Sequence, residues 1–260
     1  MKKIIYSMIV ALSATAINAQ TVKVYKGYEA DGVTPKLVYE LADADSVVFV
    51  QNEKKAETKG SATTKSGAVQ AWTQLWADGP KFADFNVGAT VSSYVDATEY
   101  ATAVVGGIYC WGGRFDGHDD FIEDARTSGS GPLTGNDDTA IRLWGDNWRM
   151  PTSTELQNMI DNCDWTWCDG VNTQYANGCT IAGYKVTGKG EFAQNAIFIP
   201  AAGYMDYEGS YSEKKYGFLW SSDARNATGA YWLTTSATVK RIDGGSRDYG
   251  YSVRAVCVAE

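Results

Sequence analysis

Few residues in this 260-residue chain could carry catalysis, since it contains a single histidine, His118. One imidazole cannot build a multi-histidine metal site or a pair of general bases. His118 lies in the polar sequence Gly117-His118-Asp119-Asp120, with no strand-to-helix nucleophile motif nearby. A lone histidine in such a loop is more typical of the surface than of a catalytic triad. We therefore predict that the protein is not an enzyme and that it has no catalytic residue and no cofactor.

Carboxylates that could bind a cation are concentrated between residues 116 and 138, where glycines and serines interrupt them. They are Asp116, Asp119, Asp120, Glu123, Asp124, Asp137 and Asp138. Ca²⁺ takes about six to eight oxygen ligands, which such a loop could supply. The stretch has no EF-hand spacing, however, and the chain lacks the Glu-Pro-Asn and Gln-Pro-Asp signatures of calcium-dependent sugar-binding lectins. A calcium site and a solvated loop ending in a helix cap both stay open, and we assign no metal ligand.

Five cysteines follow the N-terminal segment, and in an oxidising compartment an odd number leaves at least one thiol unpaired. Cys168 and Cys179 flank a polar loop that two short strands could close, which favours a disulfide between them. Cys110 and Cys257 lie in apolar runs and are expected to be buried. No Cys-x-x-Cys motif occurs, so a metal-thiolate or dithiol redox site is not expected.

The N-terminus indicates export. Lys2 and Lys3 precede an apolar stretch that is too short to span a bilayer, and Ala19 offers a small residue before a cleavage point. Residues 1–19 are therefore predicted to be a signal peptide that directs the protein to the outer cell surface, the extracellular space or the periplasm. No later stretch approaches the length of a transmembrane helix. With 31 acidic and 23 basic residues, the chain is not expected to bind nucleic acid or anionic lipid.

The mature chain is predicted to have two parts. Residues 20–51 contain three short runs with strand character, near 21–25, 36–41 and 46–50, which predict a small β leader module. Residues 52–68 are polar and contain no apolar residue larger than alanine, which is typical of a flexible linker. The remaining residues, 69–260, are long enough for one large domain.

In the larger domain, Gly-rich and aromatic-rich strand patterns surround two predicted helices. Asn136-Asp137-Asp138 precedes a predicted helix over 139–144, because an aspartate there can accept hydrogen bonds from the free amides of the first turn. Thr152 and Glu155 have the spacing of a capping box, which predicts a helix from about 151 to 162. Strands are expected near 184–187, 196–200, 218–221, 230–235, 238–242 and 251–258. The fold class is therefore α+β, with mostly antiparallel sheets.

Several ordered motifs resemble a known family. They are Trp144-Gly-Asp-Asn-Trp148-Arg149-Met150-Pro151-Thr152, Phe198-Ile-Pro-Ala-Ala-Gly203-Tyr204, Leu219-Trp220-Ser221-Ser222 and Ser246-Arg247-Asp-Tyr-Gly250-Tyr-Ser252-Val253-Arg254. Together with Asn86-Val-Gly-Ala and Tyr109-Cys-Trp-Gly upstream, they resemble the Fibrobacter-type major paralogous (FISUMP) family of secreted bacterial proteins. The resemblance covers about residues 69–260. It implies a C-type-lectin-like domain, shared with sulfatase-modifying proteins and with ligand-binding proteins diversified by retroelements, behind a leader module found in Gram-negative bacteria. It implies no established activity.

The motif residues themselves are expected to be structural. Trp148, Trp220, Pro151 and Pro200 are predicted to wedge the longer helix against the sheet. The guanidinium groups of the motif arginines, each with five fixed donors, are predicted to bridge buried carbonyl oxygens; these arginines are Arg149, Arg247 and Arg254.

A binding face is predicted from strand alternation in the C-terminal hairpin. If Leu233 and Val239 point inward, a period of two places Trp232, Thr234, Lys240 and Ile242 on the opposite, exposed face, with Asp243 and Tyr249 in adjoining turns. Exposed tryptophan and tyrosine beside polar groups suit sugar rings or a protein partner. The alternative is that this face is a second packed layer.

These observations favour an exported, non-catalytic protein that binds a glycan or a protein ligand. A structural or accessory subunit of a bacterial surface assembly, docked through the N-terminal strands, is the alternative. An enzyme related to the sulfatase-modifying fold is the third hypothesis, and its weakness is that Cys110 and Cys257 lie in apolar strands rather than in an accessible pair.

Overall fold

The computed structural model describes residues 22–28, 35–41, 57–90, 102–113, 130–170, 181–206 and 208–259. The chain divides into two compact units, Met1–Lys55 and Ala56–Glu260. The predictions for the signal peptide, the third leader strand, His118, Cys179 and the acids from Asp116 to Asp124 lie outside the described residues.

In the N-terminal unit, the first two predicted leader strands are present. β1 (Val22–Tyr28) pairs antiparallel with β2 (Pro35–Leu41), and the register shifts twice along the pair. The shifts mark bulges, which increase the twist of a two-stranded ribbon.

The larger unit begins earlier in the chain than predicted. β3 (Lys59–Thr63) pairs antiparallel with β4 (Val69–Gln74), and Ala62 on β3 is buried. The prediction of a flexible linker over 52–68 is therefore wrong from residue 57 onward. An edge strand needs few large apolar side chains, because one of its sides carries no neighbouring strand and polar residues suit that position.

The described residues of this unit form four sheets and three short α-helices. The five-stranded sheet has the order β3-β4-β5-β17-β7, and the others have the orders β10-β9-β8, β12-β11-β16-β6 and β13-β14-β15. The strands after β4 are β5 (Lys81–Ala83), β6 (Tyr109–Cys110), β7 (Trp148–Arg149), β8 (Asp164–Asp169), β9 (Ala182–Thr187), β10 (Ala196–Pro200), β11 (Tyr204–Asp206), β12 (Gly209–Tyr211), β13 (Tyr216–Ala224), β14 (Gly229–Ser236), β15 (Val239–Ser246), β16 (Gly250–Tyr251) and β17 (Val256–Cys257). The helices are α1 (Thr102–Val105), α2 (Thr139–Trp144) and α3 (Ser153–Asn162).

The mostly antiparallel pairing with few helices fits the predicted α+β class. Among the described residues, no helix is long and apolar enough to cross a membrane.

Both predicted helices are confirmed, together with their caps. The Asp138 carboxylate accepts hydrogen bonds from the amides of Ala140 and Ile141 at the start of α2. Thr152 and Glu155 form a reciprocal capping box at the start of α3, which ends at Asn162. These caps satisfy amides that a helix leaves without intrahelical partners.

The three-stranded sheet β13-β14-β15 is the centre of the core, because β14 is buried on both faces. Leu233 packs with Leu219 and with residues of α3 such as Leu156. Its neighbour Trp232 packs on the other face, with Trp220 in a second cluster. A strand in such a position has little surface left for a ligand.

The motif tryptophans and prolines are buried, which fits the structural role predicted for them. Trp148, Trp220, Pro151 and Pro200 are all buried. Arg254 is fully buried, and its guanidinium donates to the carbonyl oxygens of Ala83 (2.9 Å) and Phe198 (2.7 Å). Arg247 likewise bridges two carbonyl oxygens, those of Gly229 and Asn226. The prediction is not confirmed for Arg149, which bonds one carbonyl, that of Met150, and otherwise pairs with the Glu155 carboxylate.

Candidate functional site: an aromatic stack

The pairing of β13, β14 and β15 decides which side chains share a face. Trp220 lies opposite Trp232, and Trp232 lies opposite Asp243. Thr234 of β14 lies opposite Phe218 on β13 and opposite Arg241 on β15. Directly opposed residues of antiparallel strands project to the same face, so these side chains form one surface of the sheet.

The predicted exposed face is wrong, because β14 and β15 are joined by a two-residue loop that places Ser236 opposite Val239. Val239 therefore shares the face of Ser236 and Trp232, whereas Leu233 lies on the other face. The assumption that Leu233 and Val239 point to the same face is therefore wrong. Each β15 side chain lies on the face opposite to the one predicted for it.

The consequences for the predicted residues follow from that phase. Lys240 and Ile242 lie on the Leu233 side, where the Lys240 ammonium is 5.5 Å from the centre of the Tyr184 ring and Ile242 packs against the cluster that contains Leu233. Trp232 is 9% exposed and Thr234 is 6% exposed. The alternative of a second packed layer is therefore confirmed for these two residues.

Four aromatic rings form a continuous stack on the Trp232 side of the sheet, in the order Tyr216, Phe218, Tyr251, Tyr249. Successive ring centres are 6.0, 4.8 and 5.8 Å apart, and successive planes differ by only 18°, 15° and 7°. We refer to these four rings as the aromatic stack. Offset parallel rings at such distances attract one another beyond their area burial.

The backbone after β16 brings the last two rings to β13. The amide of Trp220 donates to the carbonyl of Ser252 (3.0 Å), and the amide of Ser252 donates to that of Phe218 (3.2 Å). Between the two tyrosines, Gly250 pairs with Cys110 of β6, and a Cβ at Gly250 would lie 2.6 Å from Cγ2 of Ile108, just before that strand. A side chain at this position would force neighbours apart, so glycine permits the close approach.

Tyr204 contacts the aromatic stack from its side. Its ring meets those of Phe218, Tyr249 and Tyr251 at angles of 79° to 85°, with centres 5.7 to 6.5 Å apart. Burial raises the pKa of the Tyr204 hydroxyl, and the nearby Asp206 carboxylate raises it further. The hydroxyl is therefore protonated near neutral pH and can donate a hydrogen bond.

Two tryptophans hold the Tyr251 ring of the aromatic stack in place. The Tyr251 ring lies 4.4 Å from that of Trp220 and 5.1 Å from that of Trp232, measured between centres. Burial also raises the pKa of the Tyr251 hydroxyl. Rings fixed in this way keep their orientation without a ligand, which lowers the entropic cost of binding.

A chain of hydrogen bonds runs along the same face toward solvent. Trp232 Nε1 donates to Thr234 Oγ1 (2.9 Å), and Thr234 Oγ1 donates to Asp243 Oδ2 (2.7 Å). Arg241 Nε donates to both oxygens of Asp243, at 2.8 and 2.9 Å. The Arg241 side chain is 64% exposed, so its remaining guanidinium donors face solvent.

The two ends of the aromatic stack are accessible. Tyr216 is 40% exposed and Tyr249 is 36% exposed, and they are two of only four large hydrophobic residues so exposed in the described part of the chain. Among the described residues, the Tyr216 ring stacks on Phe218 alone, and the Tyr249 ring stacks on Tyr251 alone. Stacking within the aromatic stack therefore covers only one face of each end ring. Such rings can pack against another flat apolar surface while the hydroxyl stays in water.

Of the six residues predicted to bind a ligand, the structure brings four together, namely Trp232, Thr234, Asp243 and Tyr249. Lys240 and Ile242 are on the other face of the sheet. The prediction omitted Tyr204, Tyr216, Phe218 and Tyr251. The alternation of rings at 216 and 218 and at 249 and 251 was visible in the sequence, since residues two apart in a strand share a face.

In the described ranges, no group of three or more His, Cys, Asp or Glu side chains is placed to hold a metal ion. Of the acidic stretch, Asp138 is a helix cap whose second oxygen accepts from the amide of Met150 (2.8 Å). Cys168 is buried on β8, and its disulfide with Cys179 stays a prediction.

Comparison with known proteins adds no relative: no family model, no curated protein and no solved structure matches this chain.

Proposed function

We propose that the chain is an exported, non-catalytic protein of the cell surface or extracellular space, in which a C-type-lectin-like domain of the FISUMP type binds a glycan through the aromatic stack. The observation that carries the proposal is a rigid row of four parallel rings whose two end tyrosines are both exposed. The family and export parts of the proposal are supported by the sequence motifs and by residues 1–19 alone.

A glycan suits this surface for two reasons. The C–H face of a pyranose ring packs well on an aromatic ring, and Tyr249 offers one such ring at the edge of the site. Sugar hydroxyls both donate and accept hydrogen bonds. The guanidinium of Arg241 is a nearby donor, and the carboxylate of Asp243, whose side chain is 27% exposed, is a nearby acceptor. A ligand of hydroxylated rings would use both features together.

The test is a comparison of Tyr249→Ala with wild type for binding to an array of bacterial and host polysaccharides. Removing an exposed anchoring ring is expected to weaken capture by about 1–2 kcal/mol, or about 5–30-fold, while the fold is retained. Tyr249→Phe keeps the ring and is expected to retain most of the binding. Val258→Ala removes another exposed apolar side chain, 47% exposed and outside the stack, and serves as the matched control.

Undiminished capture by Tyr249→Ala would show that the stack is not the binding site. If wild type binds no polysaccharide but captures a protein, and Tyr249→Ala loses that protein, the stack is a protein-docking surface and the glycan part of the proposal is wrong.

A further inference from the structure

A groove of about 350 Å³ lies beside α3, on a part of the surface that shares no residue with the aromatic stack. β17 lines it at Val256, the chain from Trp76 to Pro80 contributes on one side, and Arg149 with the first turns of α3 contributes on the other. Its volume is at the lower end of the range of pockets that hold small ligands, about 300–1,000 Å³.

The charged groups of α3 and β7 in this groove already satisfy one another. Arg149 Nη1 donates to Glu155 Oε2 (2.8 Å), and Arg149 Nη2 donates to Glu155 Oε1 (2.5 Å). The same Glu155 accepts from the amide of Thr152 (2.8 Å). Burial raises the pKa of Glu155, but these hydrogen bonds outweigh it and leave that pKa below its usual value. In a bidentate pair of this kind, the two charges neutralise each other and the side chains are fixed, so the pair does not attract a free ion.

The remaining cation of the groove is also engaged elsewhere. Lys81 Nζ donates to the carbonyl of Ala259 (3.0 Å) and lies 4.8 Å from the centre of the Trp72 ring. The residues that line the groove carry two positive charges, Lys81 and Arg149, and two negative charges, Asp78 and Glu155, and this zero sum favours a neutral ligand over an anion.

Three polar groups of the groove make no hydrogen bond to other described residues: the carboxylate of exposed Asp78, the side-chain amide of exposed Asn158 and the indole N–H of half-buried Trp76. Water satisfies such groups in the free chain, and a ligand has to replace that water with matching hydrogen bonds. The carboxylate only accepts, the indole only donates, and the amide does both. A hydroxyl group can form a hydrogen bond with each of these three groups, because it both donates and accepts. An ammonium group cannot accept a hydrogen bond, and a carboxylate cannot donate one. The set of free groups therefore matches a ligand with several hydroxyls.

The turn that carries two of these groups is fixed before any ligand arrives. The amide of Gly79 donates to the carbonyl of Trp76 (3.1 Å), and a Cβ at Gly79 would lie 2.6 Å from Trp76 Cε2. Asp78 has a φ of 56°, a backbone conformation that residues other than glycine adopt only occasionally. The Trp76 ring also lies 6.0 Å from that of Phe82. A fixed wall lowers the cost of binding a small ligand.

From this geometry we infer that the groove is a second binding site, which takes a neutral, polyhydroxylated ring of monosaccharide size. Asp78 accepts from the ligand's hydroxyls, Asn158 both donates and accepts, and the Trp76 indole N–H donates. The inference stands independently of the aromatic stack, because the two sites have no residue in common.

The test uses NMR titration of the full mature chain with methyl α-mannopyranoside, methyl β-galactopyranoside and methyl β-glucopyranoside in turn. At least one glycoside is expected to shift the Trp76 indole and Asn158 amide signals, with saturation at a Kd of about 1–10 mM. Asp78→Gly removes the carboxylate and suits the positive φ, so it should fold normally and bind about tenfold more weakly or worse. Gln157→Ala, on α3 outside the groove, should bind like wild type.

Titration with methylammonium chloride and with sodium acetate separates the proposed ligand class from simple ions. The inference is overturned if no glycoside shifts the two signals, if Asp78→Gly binds like wild type, or if methylammonium or acetate binds more tightly than every glycoside. Tyr249→Ala is expected to leave this titration unchanged even if it abolishes polysaccharide capture. Loss of the groove signals in Tyr249→Ala would place the site elsewhere and also overturn the inference.

Discussion

Replacing Trp232 by alanine separates a packing role from a binding role in one variant. The indole is 9% exposed, its ring lies 5.5 Å from that of Trp220 and 5.1 Å from that of Tyr251, and its N–H donates to Thr234. Deleting a buried tryptophan leaves a cavity and typically costs about 3–5 kcal/mol of folding free energy. For a domain of about 200 residues, each kcal/mol lowers Tm by roughly 2–4 °C. We therefore expect Trp232→Ala to lower Tm by about 6–20 °C.

The measurement is thermal unfolding followed by circular dichroism, with urea unfolding for the free energy. Trp232→Phe fills much of the cavity and is expected to lose clearly less stability than Trp232→Ala. Tyr249→Ala, which truncates an exposed ring of the same aromatic group, should stay within about 1 kcal/mol of wild type. A Trp232→Ala protein with unchanged Tm would refute the packing argument, and loss of ligand capture in that stable variant would restore Trp232 as a contact residue.

Two buried or half-buried carboxylates give further predictions. Asp138→Ala removes the cap of α2 and leaves the Met150 amide without its acceptor, so urea unfolding should show a loss of about 2–4 kcal/mol, against less than about 0.5 for exposed Asp137→Ala. Equal losses in the two variants would contradict this role. Because the pKa of Glu155 is lowered in the folded state from 4.5, its contribution is present above that pH and disappears as pH falls through the folded value. The stability advantage of wild type over Glu155→Gln should therefore shrink between about pH 6 and about pH 3, and a constant difference would argue against the Arg149 pair.

The elements predicted correctly from the sequence are those that local chemistry determines. Asp138 before α2 and the Thr152 and Glu155 pair before α3 satisfy amides only two or three residues away, so their patterns can be recognised without knowledge of the fold. The bridging arginines were predictable in kind, because a guanidinium in an apolar context needs acceptors. Their actual partners, such as Ala83 and Phe198 for Arg254, depend on the tertiary arrangement.

The start of the larger unit was mispredicted because amino-acid composition indicates how buried a segment is on average. It does not indicate whether the backbone of that segment pairs with a neighbouring strand. β3 has lysine, serine and threonine at positions that face solvent, and alanine at its buried position. Its pairing with β4 supplies backbone hydrogen bonds that do not depend on side-chain size. A polar stretch next to a strand with alternating apolar residues can therefore be an edge strand as readily as a linker.

The binding face was mispredicted for a different reason, which also explains where the site lies. A loop of two residues between Ser236 and Val239 fixes the phase of β15 relative to β14, and an error of one residue in that phase moves each β15 side chain to the opposite face. Even the correct phase would not have made Trp232 accessible, since the sheet is covered by α3 on one side and by aromatic rings on the other. On this side of the sheet, the exposed rings among the described residues lie where the aromatic layer ends, at Tyr216 where β13 begins and at Tyr249 in the turn before β16. The proposed ligand surface therefore lies at the ends of the aromatic layer, where the tryptophans beneath hold the rings in place.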